Sequence, residues 1–166
     1  MDNQQERQIL DIGYLLGMID GEGCYQLEQD GRGHFYPSFT LGNTDERIIL
    51  KSKGILENLG VGCWIWTPKF HGKQQRPMLR LYVKGIKRMK HFLDIFTQYN
   101  HAKLDRANIL KEYCELRLSI PMQELYSNTP KDYSRELKLK ETLKKLNRKY
   151  KGFVSSETIR FGASST

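Results

Sequence analysis

Residues 14–23 read YLLGMIDGEG, an apolar run that breaks into two acids, Asp20 and Glu22, fenced by Gly21 and Gly23. Ile9, Ile12, Leu15, Leu16 and Ile19 keep helical spacing, which predicts an amphipathic helix ending at these glycines. One glycine suffices to stop a helix, so two acids on a glycine turn ask for a further reason. Gly13, Gly17 and Gly21 recur every fourth residue and clear one stripe of side chains, so another backbone can approach it as in small-xxx-small packing. Two such helices packed side by side would meet along this stripe and bring both copies of Asp20 and Glu22 together. There the negative ends of the helix dipoles and mutual repulsion disfavour two ionised carboxylates, a conflict that a divalent cation relieves. Hard oxygen ligands, Glu22 and a carbonyl freed at the helix end, suit magnesium. A capped core helix with two solvated acids fits the same spacing.

Outward from this helix, CYQLEQ (24–29) and HFYPSFTLG (34–42) read as strands joined by the turn-rich DGRG at 30–33. Asn43-Thr44-Asp45 caps a second helical segment marked by Ile48, Ile49, Ile55, Leu56 and Leu59 and closed by Gly60 and Gly62. CWIWT (63–67) and MLRLYV (78–83) form a second strand pair around a polar loop, and helices follow over 85–99, from Leu104, and over about 133–149. The order αββαββα implies an α+β fold: a four-stranded antiparallel sheet with helices on one face and extra C-terminal helices. At 166 residues the chain suits one domain, with a core over about 8–118 and a helical extension over about 119–166.

Alternation gives the sheet two unlike faces. Gln26, Glu28, Asp30 and Arg32 share one parity, opposed by Tyr25 and Leu27, and His34, Tyr36, Ser38 and Thr40 oppose Phe35, Phe39 and Leu41. Arg80, Tyr82 and Lys84 repeat the pattern against Leu79, Leu81 and Val83. A polar, aromatic face shared by three strands suits the major groove, where a β-ribbon offers side chains to base edges. A solvated face explains any single strand equally well.

Charge supports a polyanionic partner. The net charge is +8, yet residues 1–50 hold nine acids against three bases, while 51–100 hold ten bases against two acids and 131–166 ten against four. Clustered lysine and arginine attract nucleic acid by releasing its condensed counterions. Neither a run of about 18 apolar residues nor a charged segment leading into an apolar one is present, so a soluble intracellular protein without a membrane partner is expected. Cys24, Cys63 and Cys114 lack metal-site spacing and should be reduced thiols.

LLGMIDGEG at 15–23 resembles the signature of the LAGLIDADG homing endonucleases, with Glu22 where that family has its metal-binding acid, and the element order matches the family's αββαββα core. A single copy of the motif resembles the subfamily that works as a homodimer through its motif helices, which implies Gly13, Gly17 and Asp20 at the dimer interface. The resemblance implies a metal-dependent, intron-encoded DNA endonuclease that cuts both strands of a long pseudo-palindromic target with Mg2+ or Mn2+. It further implies metal held by Glu22 and the Gly21 carbonyl, water positioned by Asn43 and Arg47, and Lys103 near the scissile phosphate. SSETIR at 155–160 is similar to a SETVR segment of one such homodimer. The family also implies an organelle, chloroplast or mitochondrion, or a microbial cytoplasm. An RNA maturase assisting intron splicing, or a DNA-binding regulator without catalysis, would share the fold.

Overall fold

The motif helix runs further than its apolar stripe. In the computed structural model, which describes residues 3–31, 33–67, 77–121 and 132–152, α1 spans Asn3–Glu22 and buries Ile12, Leu15 and Ile19 on one side. Ile9 and Leu10 stay 59% and 72% exposed. The chain then turns directly into β1 (Gly23–Gln29), which pairs antiparallel with β2 (Phe35–Asn43). Gly23 permits this abrupt switch, because a Cβ there would lie 2.5 Å from the Ile19 carbonyl oxygen and 2.8 Å from the Phe39 ring.

Helix α2 (Glu46–Asn58) starts on the Asp45 side chain, which accepts the Arg47 backbone N–H. It stops in a Schellman motif: Gly60, at φ +74°, donates to the Glu57 carbonyl and Val61 donates to that of Leu56. Val61 and Leu56 are both buried, as that motif's hydrophobic contact requires. Strands β3 (Trp64–Trp66) and β4 (Leu79–Lys84) complete an antiparallel sheet of order β1-β2-β4-β3. Helices α3 (Ile86–Phe96), α4 (Leu104–Ser119) and α5 (Ser134–Gly152) follow. The α+β architecture and the four-stranded antiparallel sheet are as the sequence implied, although β3 is shorter than expected and α3 ends before 99. Arg32 and the 155–160 segment lie outside the described residues.

The core fills the space between the sheet's apolar face and the helices. Tyr25, Phe39, Phe92 and Phe96 form its aromatic centre, with Phe92 stacked 4.7 Å from Phe39 and tilted against Phe96 at 4.7 Å. Tyr113 of α4 is fully buried and donates its hydroxyl to the Phe35 carbonyl at 2.6 Å. The C-terminal extension belongs to this core: α5 buries Leu139 and Leu143, and Asn147 donates to the Tyr25 carbonyl on the outer edge of β1. A covered edge cannot recruit a stray strand.

Truncating Phe92 to alanine should lower the unfolding free energy by roughly 3–5 kcal/mol, whereas Leu118→Ala, at a 47% exposed site, should change it by less than about 0.5 kcal/mol. Urea midpoints at unchanged m-value read the difference. A Phe92 variant as stable as the wild type would place the aromatic centre elsewhere.

Candidate nucleic-acid interface

The two acids of the motif point to different tasks. Asp20 is clamped by the segment that joins α3 to α4: its Oδ2 accepts the Ala102 N–H at 3.0 Å and its Oδ1 accepts the Lys103 N–H at 3.2 Å. The His101 ring, 1% exposed, donates from Nδ1 to Asp20 Oδ1 at 3.1 Å. Burial acts to raise the Asp20 carboxyl, but Ala102, His101 and Lys103 outweigh it and hold the group below the ordinary carboxylate value. Glu22, by contrast, is exposed and forms no hydrogen bond or ion pair with another described residue.

Lys103 answers Asp20 from the other side. Its buried ammonium donates to the carbonyls of Ile19 at 3.0 Å and Gly23 at 2.7 Å, at the C-terminal end of α1. Burial first, and then the Arg106 guanidinium, push this ammonium below the ordinary lysine value, against the pull of Asp20, Cys24 and Glu22. The side chain therefore sits under the acidic turn and holds its backbone. Gly13, Gly17 and Gly21 on α1 have open space where a Cβ would stand.

Glu22 opens onto a groove of about 380 Å³ across the polar face of the sheet. Gln26, Glu28, Thr40, Arg80, Tyr82 and Lys84 line it, as alternation predicts, and so do Cys24, Gly42 and Met78, which alternation did not single out. Inside the groove Lys84 approaches Glu28 at 4.0 Å and lies 4.8 Å over the Tyr82 ring. Burial and the neighbouring Glu28 raise the Tyr36 hydroxyl above its ordinary value.

Other expected contacts are placed differently. Ser38 has the right parity but is fully buried between its register partners Gln26 and Lys84, because β2 is a central strand, so it is no exposed base reader. Asp30 and His34 belong to the hairpin turn, where Asp30 accepts from the His34 backbone at 2.9 Å. Asn43 is half-buried and its side-chain oxygen accepts the Asp45 N–H at 2.8 Å. Arg47 is 90% exposed and pairs with Asp45 at 2.7 Å. Neither Asn43 nor Arg47 lines the groove below Glu22.

Three candidate residues carry no reading in the sequence. Trp64 and Trp66 sit in register with Tyr82 and Arg80 and so share the open face; extending the alternation to CWIWT would have found them. His101 carried no signal, since its partner Asp20 is 81 residues away.

Among the described residues no group of three or more histidine, cysteine or acidic side chains could hold a metal ion, and no helix is long and apolar enough to cross a membrane. Glu22 and the backbone oxygens of its turn are donors of the hard type that suits magnesium.

The family model of the LAGLIDADG-like domain matches residues 10–97, from the motif helix through α3. A search of curated proteins finds no match. Among solved structures, the chain is similar to the homing endonuclease I-CvuI in complex with its target in the presence of calcium, with a TM-score of 0.59 and 18% identity, covering 95% of this chain and 89% of that one. It is likewise similar to the archaeal intron-encoded homing endonuclease I-Vdi141I complexed with DNA, with a TM-score of 0.60 and 20% identity, covering 83% of this chain and 84% of that one. At such identities the likeness carries the fold. The family assignment rests on the match over more than half of the sequence, which begins inside the very helix that ends in Asp20 and Glu22: the chain belongs to the LAGLIDADG-like domain family.

Proposed function

We propose that this protein is a site-specific endonuclease that cuts both strands of a long, pseudo-palindromic DNA duplex as a homodimer, using magnesium or manganese. The observation that carries this reading is the position of Glu22: an exposed acid with no hydrogen-bond or ion-pair partner among the described residues, at the mouth of a groove lined by Arg80, Lys84 and hydrogen-bonding side chains. The solved structures of similar fold are homing endonucleases bound to DNA, which agrees with the basic charge of this chain.

Glu22 and the Gly21 carbonyl would hold the metal, which when bound orients water and neutralises charge on the scissile phosphate. The rest of the work falls to the chain. The polar sheet face seats the duplex and fixes its register. Asp20 and Lys103 keep the acidic turn rigid, so that Glu22 meets the phosphate preorganised. Lys103 is thus a positioning residue, its ammonium already taken by two carbonyls, rather than the phosphate contact that the resemblance implies. Asn43 and Arg47, beside the cap of α2, would order water only from outside the groove.

The exposed side of α1 supports the homodimer reading. The glycine stripe is open and Ile9 and Leu10 add uncovered apolar surface next to it. Magnesium usually takes one or two carboxylates together with phosphate oxygens and water, and a second copy would bring its own Glu22 to the same cleft.

Glu22→Gln should abolish cleavage while leaving duplex binding in calcium largely intact, since an amide cannot neutralise the metal. Full cleavage by the purified variant would remove Glu22 from the site. Gly17→Leu should convert the dimer to a monomer by driving the paired helices apart; sedimentation showing an unchanged dimer would move the interface off α1. Lys103→Met should slow single-turnover cleavage and also lower the unfolding free energy by roughly 1.5–3 kcal/mol, the range for hydrogen bonds to a charged group. A slowed variant of unchanged stability would return Lys103 to direct contact with the phosphate.

A further inference from the structure

The open face of the sheet is divided in its chemistry. The β1–β2 half offers hydrogen-bonding groups, among them Gln26 and Glu28. The β4–β3 half is aromatic: Trp64 stacks on Tyr82 with ring centres 5.8 Å apart and planes 21° apart, and the Arg80 guanidinium lies 5.8 Å from the Trp66 ring. Trp64 is 39% exposed and Trp66 46%. Ile65 between them pairs with Leu81 and packs against the core, so the pleat leaves no freedom over which side the two rings face. Two large apolar rings held outward on an edge strand of three residues gain little from the fold itself.

The surface around them names the occupant. Through Tyr82 and Arg80 it adjoins the groove that begins at Glu22, whose lining sets Arg80 and Lys84 beside the acids Glu22 and Glu28. A duplex lying in that groove presents its major-groove floor to β3 and β4. The apolar feature of that floor is the C5-methyl group of thymine, while the other base edges offer donors and acceptors. From this geometry we infer that Trp64 and Trp66 read thymine methyl groups and so fix A·T pairs at the positions beneath β3, an inference that rests on the endonuclease reading above. Arg80, steadied by the Trp66 ring, is placed to read an adjacent guanine through O6 and N7.

Deoxyuridine tests this directly, because it lacks only the methyl and keeps every hydrogen-bonding group of thymidine. A duplex selected from a randomised library is re-synthesised with each thymine replaced in turn, and binding is measured in calcium for the wild type, Trp64→Ala, Trp66→Ala and Trp66→Tyr. The wild type should lose roughly fourfold in affinity at one or two positions of each half-site, the worth of one buried methyl-sized group. Each alanine variant should lose that penalty at its own position and keep it elsewhere, and Trp66→Tyr, which retains a ring, should restore it in part. Both tryptophans are exposed, so urea midpoints near that of the wild type are expected and exclude misfolding.

Duplex binding with no uracil penalty, or a penalty that survives both alanine changes, overturns methyl reading and leaves the endonuclease reading standing. Failure to bind any duplex of the library overturns both. Tight binding of single strands that Trp66→Ala abolishes, with duplex binding unchanged, would make the rings a stacking platform for unpaired bases instead.

Discussion

The ammonium of Lys103 lies between the Ile19 carbonyl in the last turn of α1 and the Gly23 carbonyl that opens β1, and the Asp20 carboxylate lies against the Ala102 and Lys103 N–H groups just before α4. Each charge thus faces the helix terminus of opposite sign, a cation on carbonyls and an anion on N–H groups. The two contacts are reciprocal, since each residue sits on the helix whose partner it neutralises or immediately before it. Together with His101 they tie a short connection to the acidic turn, and Lys103 and the His101 ring are buried, which strengthens their contacts. The direction and exposure of Glu22, two residues beyond Asp20, depend on this clamp.

The sheet is the second constraint, because it transmits the position of that turn to the groove. Gly23 lets the chain leave the helix and enter β1 without a loop, so Glu22 and Cys24 flank a fixed corner. From there the β1–β2 register carries Gln26 and Glu28 across from Ser38 and Tyr36, and β2–β4 sets Thr40 beside Tyr82. One face, Phe39 included, packs on Phe92 and Phe96 of α3 and cannot slip by a residue without turning its apolar set to water. A rigid core on one side therefore fixes the side-chain order on the other. The α5 helix adds to this by covering the free edge of β1 and satisfying the Tyr25 carbonyl.

Most of the fold was legible because its signals are local. Apolar spacing gave the helices, strict alternation gave the faces of β1, β2 and β4, and the glycines at 60 and 62 marked a real stop. The start of α1 was missed because residues 3–8 are polar and helix formation there leaves no apolar trace. Parity in the sequence puts Gln26, Glu28, Arg80 and Tyr82 on the open face, where they line the groove. It could not see that Ser38 is sealed, because burial of an open-face residue depends on the side chains of two neighbouring strands. Nor could it foresee that Lys103 is spent on backbone carbonyls, for the partners are 84 and 80 residues away. Long-range polar contacts carry no periodicity, so these assignments wait for the fold.

The clamp and the glycine stripe also bear on each other. Gly21 belongs to the stripe by spacing and to the acidic turn by position, so one residue stands both on the face of α1 where a second copy would pack and beside the acid that would hold metal. A second helix laid along the stripe would meet a turn already fixed by Lys103 and Asp20 from behind. Packing energy at the stripe would then be spent on alignment and not on ordering a flexible end, which lowers the entropic cost of bringing two glutamates together. It would also crowd two carboxylates, raising the free energy of the metal-free dimer and sharpening the preference for a cation between them. Assembly and metal binding would in that case reinforce one another through a single turn of backbone, with the sheet grooves of both copies aligned to one duplex by the same contact.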